Sequence, residues 1–184
     1  SSLTSITIPS GVTTINSSAF SNCTGLTEIN FNATAMNDLL YGDYYSSLPN
    51  VFSNAGSAGA GITVNIGANV TKIPNYLFYA YDSGWCSAKI ATVNFASGSV
   101  CESIGASAFS YCTSLTSINI PESVTSIGND AFWNCTSLTN VYITDIASWC
   151  NISFGGSSAN PFYHAKNLYV NNKLVTDLVI PEGV

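Results

Sequence analysis

One phrase is written repeatedly along this chain, and that repetition limits the possible folds more than any single residue does. Leu3-Thr4-Ser5-Ile6-Thr7-Ile8-Pro9 recurs as Leu115-Thr116-Ser117-Ile118-Asn119-Ile120-Pro121. In both places Val-Thr-x-Ile follows, then Ala-Phe, then Asn-Cys-Thr. A period of roughly 23 residues is the mark of a solenoid, in which each repeat is one coil resting on its neighbours.

The template reads Leu-Thr-x-Ile-x-Ile-Pro-x-x-Val-Thr-x-Ile-x-x-x-Ala-Phe-x-x-Cys-Thr-x. Its copies divide the chain into a single solenoid of about six coils, at 3–25, 26–60, 61–89, 90–114, 115–137 and 138–174, with a seventh starting over 175–184. The first and fifth copies fit at almost every position. The second departs after Phe31 into an insert carrying Tyr41, Tyr44 and Tyr45, and the sixth into one that runs through Trp149, Pro161 and Tyr169.

Leu-x-x-Ile-x-Ile alternates with period two towards its end, which predicts a short strand with one buried face. The proline stops it, having no N–H for the ladder. Val-x-x-Ile and Ala-Phe supply the other walls of the coil. Successive strands should pair in parallel about 4.8 Å apart. Loops or short helical turns are expected opposite. Helix should be scarce, because Ser, Thr, Asn and β-branched residues dominate the connections.

Apolar residues make up 46% of the 184, enough for a continuous core, and charged ones only 8%. No apolar run approaches the roughly 18–20 residues of a membrane-spanning helix, so no direct membrane insertion is expected. Net charge is −6, and the only cations are Lys72, Lys89, Lys166 and Lys173. Nucleic acid needs clustered Lys and Arg to neutralise phosphate, so it is excluded as a partner class. The chain starts and stops within repeats, as a fragment of a longer protein would. Open coil ends favour end-to-end self-association.

The template, and above all copies 1, 4 and 5, resembles the BspA-like leucine-rich repeats of bacterial and some protozoan surface proteins. The segment from Asp145 to Cys150, then Asn167 to Val170 and Asp177 to Pro181, is similar to a variant repeat of such proteins in anaerobic gut bacteria. The resemblance implies a right-handed leucine-rich-repeat coil at the cell surface or secreted, engaged in adhesion to a host or another microbe. It implies no catalytic residues and no cofactor.

The residues themselves give little chemistry. Cys23, Cys112 and Cys135 share one template slot and should be buried thiols in a core column. A Cys86–Cys101 bridge is conceivable. No Cys-x-x-Cys pair supports a zinc site. His164, the one histidine, lacks a Gly-x-Ser-x-Gly or an acid cluster beside it, so a surface or structural role is expected. The carboxylates are scattered, without the facing pair a glycosidase needs. A carbohydrate-active enzyme is therefore the weakest reading, and the chain is expected not to be an enzyme.

The outward strand positions carry more. Template slots three and five read Ser5/Thr7, Glu28/Asn30, Thr63/Asn65, Thr92/Asn94, Ser117/Asn119, Asn140/Tyr142 and Asp177/Val179. Asn30, Asn65, Asn94 and Asn119 form a column that either binds a glycan or peptide, or satisfies itself as an amide ladder. Tyr142 stands in the same column. Tyr41, Tyr44 and Tyr45, with Tyr76, Tyr79, Tyr81 and Trp85, either make contacts or cover irregular coils. The expected function is binding of an extracellular protein or glycan. The rival is a stalk that projects another domain.

Overall fold

The computed structural model of the protein describes residues 2–40, 50–80 and 88–181. In chain order its strands begin with β1 (Ser5–Ile8), β2 (Glu28–Phe31), β3 (Ile62–Ile66), β4 (Lys72–Ile73), β5 (Ile90–Phe95) and β6 (Ser103–Ile104). They continue with β7 (Ser117–Asn119), β8 (Ser126–Ile127), β9 (Asn140–Ile143), β10 (Ser153–Phe154), β11 (Asn167–Val170) and β12 (Lys173–Leu174). The chain is a solenoid of about six turns with very little helix.

The Leu-x-x-Ile-x-Ile phrase makes the long sheet, in the order β1-β2-β3-β5-β7-β9-β11-β12. Every pairing in it is parallel except the last, β11 with β12. Equivalent template slots lie side by side: Asn30 beside Asn65, Asn65 beside Asn94, Asn119 beside Tyr142. Ile29, Val64, Val93, Ile118 and Val141 form one buried column, and Ile8, Phe31, Ile66, Ile120 and Ile143 another. The period of two thus puts slots four and six inward and slots three and five outward.

The seventh strand differs from expectation. Asn167–Val170 pairs with β9, ten residues ahead of the strand that the template's restart at Val175 would place at Asp177. Asn167/Tyr169, not Asp177/Val179, therefore occupy the outward positions. The cause is a hairpin. Asn171 and Asn172 have φ of 50° and 62°, the left-handed pair of a two-residue I′ turn that Asn favours. The turn folds β12 back on β11, with Tyr169 opposite Leu174 and Val170 opposite Lys173.

A second finding replaces the loops expected on the other wall. The Val-Thr-x-Ile phrase forms its own parallel ladder, β10-β8-β6-β4. Glycine follows three of these two-residue strands and lets the coils close up. A Cβ on Gly105, Gly128 or Gly155 would lie 2.5 Å from a backbone nitrogen of the preceding coil, that of Asn75, Ala106 or Asn129 respectively.

The Ala-Phe slot makes the spine of the core. Phe20, Phe52, Phe78, Phe109 and Phe132 stack ring on ring through five coils, with centroid spacings of 5.4, 5.8, 5.4 and 5.7 Å. Left-handed backbone recurs beside every ring, on both sides for Phe20, Phe109 and Phe132 and on one side for Phe52 and Phe78. Ser18, Tyr76, Ser107 and Asp130 supply it two residues before the ring, and Asn22, Asn54, Tyr111 and Asn134 two residues after, with φ of 52–64°. Asn tolerates that region better than most residues, which accounts for the Asn of Asn-Cys-Thr. The sixth-copy insert holds the helical structure: a five-residue helix, Ile146–Cys150, capped by Asp145, and two 3₁₀ turns, Ser157–Ala159 and Pro161–Tyr163.

Cys112 and Cys135 are buried free thiols that donate to Phe78 O and Phe109 O at 3.4 and 3.1 Å. Cys23 in the first coil is only half-buried. Cys101 is a buried free thiol that donates to Ser103 O at 3.5 Å. Its conceived partner, Cys86, lies outside the described residues. Burial pushes the thiols of Cys101 and Cys135 up to about 11 and about 12, from an ordinary 9.0, and raises Cys112 as well.

This packing can be tested in three ways. Gly128→Ala should cost about 1–3 kcal/mol in urea unfolding, because only backbone stands in the way. Gly11→Ala, with nothing within 4 Å of the new Cβ, should change stability by less than about 0.5 kcal/mol. The folded thiols hold protons that the unfolded chain releases above pH 9. Stability should therefore be intact below pH 9 and fall as pH rises from there towards 12. At neutral pH, native alkylation followed by mass spectrometry should modify exposed Cys150 and spare Cys101, Cys112 and Cys135.

Candidate functional site on the outward face of the long sheet

The two halves of the outward face use similar residues differently. Over β2, β3 and β5 the amides bond to one another. Asn65 Nδ2 donates to Asn30 Oδ1 at 3.0 Å and to Glu28 Oε1 at 3.1 Å, and Asn94 Nδ2 donates to Asn65 Oδ1 at 3.1 Å. In-register parallel pairing enforces this, since it repeats an amide at each strand spacing. Asn30 and Asn65 are half-buried in the ladder, which serves the coil.

The ladder stops at Asn94. No side-chain bond among the described residues extends it to Asn119, and both Asn94 and Asn119 are exposed. Beyond Asn119 the column changes chemistry. Tyr142 and Tyr169 stack on each other with centroids 4.6 Å apart and ring planes 19° from parallel. Beside them Asn167 Nδ2 donates to Asn140 Oδ1 at 2.9 Å, a one-rung ladder in slot three.

A groove of about 360 Å³ opens at this break. Thr92, Asn94, Ser117 and Asn119 line it from β5 and β7, Tyr142 from β9, and Asn171 and Asn172 from the hairpin turn. No Lys, Asp, Glu or His side chain lines it. A second groove of about 270 Å³ adjoins it, shares Asn119 and Thr144, and carries Glu122 and the Ala96–Ser99 loop. The arrangement offers amides and hydroxyls that donate and accept, beside an aromatic ring.

The column predicted from sequence is thus brought together, but as two parts: Asn30, Asn65 and Asn94 in a ladder, then Asn94, Asn119 and Tyr142 at a groove. Tyr41, Tyr44 and Tyr45 lie outside the described residues, as do Tyr81 and Trp85. Sequence reasoning did not assign Tyr169, Asn171 and Asn172 to this face. The Asn-Asn pair between two short β-prone runs is a hairpin signal that finds them.

His164, Asp130 and Asp145 do not line this groove. His164 Nε2 is buried without a hydrogen-bond partner among the described residues, and desolvation holds its pKa below the ordinary value. Its ring meets Tyr163 edge-on at 5.0 Å. Ser158 Oγ donates to Asp130 Oδ1, a contact that ties the insert to the fifth coil. Asp145 accepts from the Ser148 hydroxyl and backbone N–H, both at 2.7 Å. Those bonds hold its carboxyl below the usual range. Among the described residues no three His, Cys, Asp or Glu are placed to hold a metal ion, and no helix is long and apolar enough to cross a membrane.

A family model for the BspA type leucine rich repeat region, in six copies, matches residues 1–83 and 81–173. Among solved structures, the chain is similar to a leucine rich cell surface protein from Faecalibacterium prausnitzii A2-165. The identity is 23% and the TM-score 0.36, over 85% of this chain and 52% of that one. The chain thus spans about half the length of that relative. No curated protein matches.

The split column has a measurable consequence. Asn65→Ala removes three amide bonds and should cost about 1–2 kcal/mol in urea unfolding. Asn119→Ala, outside the ladder, should change stability by less than about 0.5 kcal/mol.

Proposed function

This chain belongs to the BspA-type leucine-rich-repeat family, and we propose that it is a non-enzymatic recognition module, displayed at the cell surface or secreted, that binds an extracellular protein or glycan through the outward face of its long sheet. The observation that carries this reading is the break in the column. Asn30, Asn65 and Asn94 spend their amides on one another, whereas Asn119, Tyr142 and the Asn171-Asn172 turn present theirs to a groove. Rigid strands hold these groups in place, so little ordering is lost on binding. The family to which the repeats belong supports display outside the cell. Repetition of coils suits an extended partner, each contact raising the effective concentration for the next.

The rival is a stalk, and the self-satisfied ladder over β2, β3 and β5 favours it for that half of the face. The test is surface-immobilised binding of the whole chain to extracellular-matrix proteins and mucin glycans. Three variants accompany it: Asn119→Ala/Tyr142→Ala, Tyr44→Ala/Tyr45→Ala, and Ser126→Ala on the second sheet. Saturable binding that only the first variant loses is expected. Loss in the second variant alone moves the site to the second-copy insert that carries Tyr44 and Tyr45. Absence of binding by a folded chain leaves the stalk.

A further inference from the structure

Resting on that reading, we propose that the groove between Asn94, Asn119, Tyr142 and the Asn171-Asn172 turn is a subsite for an uncharged saccharide. The charge on this surface sets the first limit. No Lys, Asp, Glu or His lines the groove. The adjoining groove, continuous with it through Asn119 and Thr144, adds only Glu122. The chain carries net charge −6. Sialylated and sulfated sugars would meet a carboxylate with no cation to pair with, and acidic peptides would fare the same.

Hydrogen-bond chemistry sets the second. Each asparagine amide presents one acceptor and one two-hydrogen donor in a fixed plane, and Ser117 adds a hydroxyl that does both. Neighbouring hydroxyls on a sugar ring also donate and accept, so one amide can serve two of them. The mode by which a sheet itself recognises a peptide uses the backbone groups of a free strand edge. That edge is absent here, because β7 and β9 have spent theirs on each other; Ile120 N, for example, donates to Tyr142 O at 2.9 Å.

Third comes the ring. Tyr169 covers one face of Tyr142. On the other side of the column Tyr142 has Asn119 as its register neighbour, not a second ring. A half-buried ring that lines the groove, braced by a second ring, offers a stacking surface for the C–H face of a pyranose. The polar tip remains free to bond. Grooves of about 360 and 270 Å³ fall in or near the range of small-ligand sites, room for about two or three sugar rings.

The experiment is calorimetric titration of the whole chain with uncharged tri- and tetrasaccharides of glucose, galactose and N-acetylhexosamine, α- and β-linked. Sialylated and sulfated counterparts run in parallel. At least one uncharged sugar should bind saturably and more tightly than its charged counterpart. Tyr142→Ala should weaken that binding about tenfold or more, and Asn119→Ala several-fold. Tyr142→Phe, which keeps the stack, should stay within about twofold. Unfolding curves establish that each variant is folded. Tighter binding of the charged sugars, or sugar binding indifferent to Tyr142 and Asn119, overturns the proposal. If no sugar binds but a matrix protein binds and is lost in Asn119→Ala/Tyr142→Ala, the saccharide is wrong and the recognition face stands. If nothing binds, both fail.

Discussion

Coils stacked in register are the constraint from which the rest of this molecule follows. The phenylalanine spine shows it most directly. Phe20 to Phe132 lie ring on ring with planes 10–18° from parallel. Rings can stack so through five coils only if each coil repeats the path of the one before. A stacked pair contributes about 0.5–1.5 kcal/mol beyond the area it buries, and each ring buries most of its surface besides. The spine ends where the template does: Phe132 N donates to Ser158 O, which places Ala159 in the next ring's slot.

Once the register is set, every other slot becomes a column. An apolar column is straightforward, since Ile29, Val64, Val93, Ile118 and Val141 need only touch. A glycine column lets the second ladder close, because Gly105, Gly128 and Gly155 each meet the backbone of the coil before. A thiol column is held by burial, with each sulfur given a carbonyl of the preceding coil. A left-handed column recurs beside each ring and takes Asn, Ser, Tyr or Asp at some cost in backbone strain. One periodic sequence thus solves the same packing problem in each coil, which is why its residues repeat.

The same logic explains what the sequence discloses and what it does not. The parallel long sheet, the inward and outward slots and the columns from Asn30 to Tyr142 were legible because period two and the 23-residue repeat fix them together. The second ladder was not, because Ser126-Ile127 and its equivalents are two residues long and carry no alternation to detect. The seventh strand was misplaced because Asp177-Leu178-Val179-Ile180-Pro181 matches the template better than Asn167-Leu168-Tyr169-Val170 does. The hairpin turn at Asn171-Asn172 outweighs that match by supplying a local closure. The groove itself was out of reach, since it depends on that turn lying beside residues of β5 and β7.

On the reading proposed above, a recognition surface arises on such a scaffold by breaking a column, and the chemistry of the break would decide what it takes. Identical amides at one strand spacing satisfy each other, as Asn30, Asn65 and Asn94 do, and a satisfied ladder has little to offer a ligand. Identical phenols stack, as Tyr142 and Tyr169 do. The amide run breaks between Asn94 and Asn119, where β5 and β7 pair only at Val93 and Ile118, and on its other side Asn119 meets a ring, which cannot complete an amide ladder. Asn119 and the ring of Tyr142 are left over at that junction. The exposed amide of Asn119 and the half-buried ring of Tyr142 therefore come as a pair, and the ligand proposed for them has hydroxyls on its rim and an apolar face.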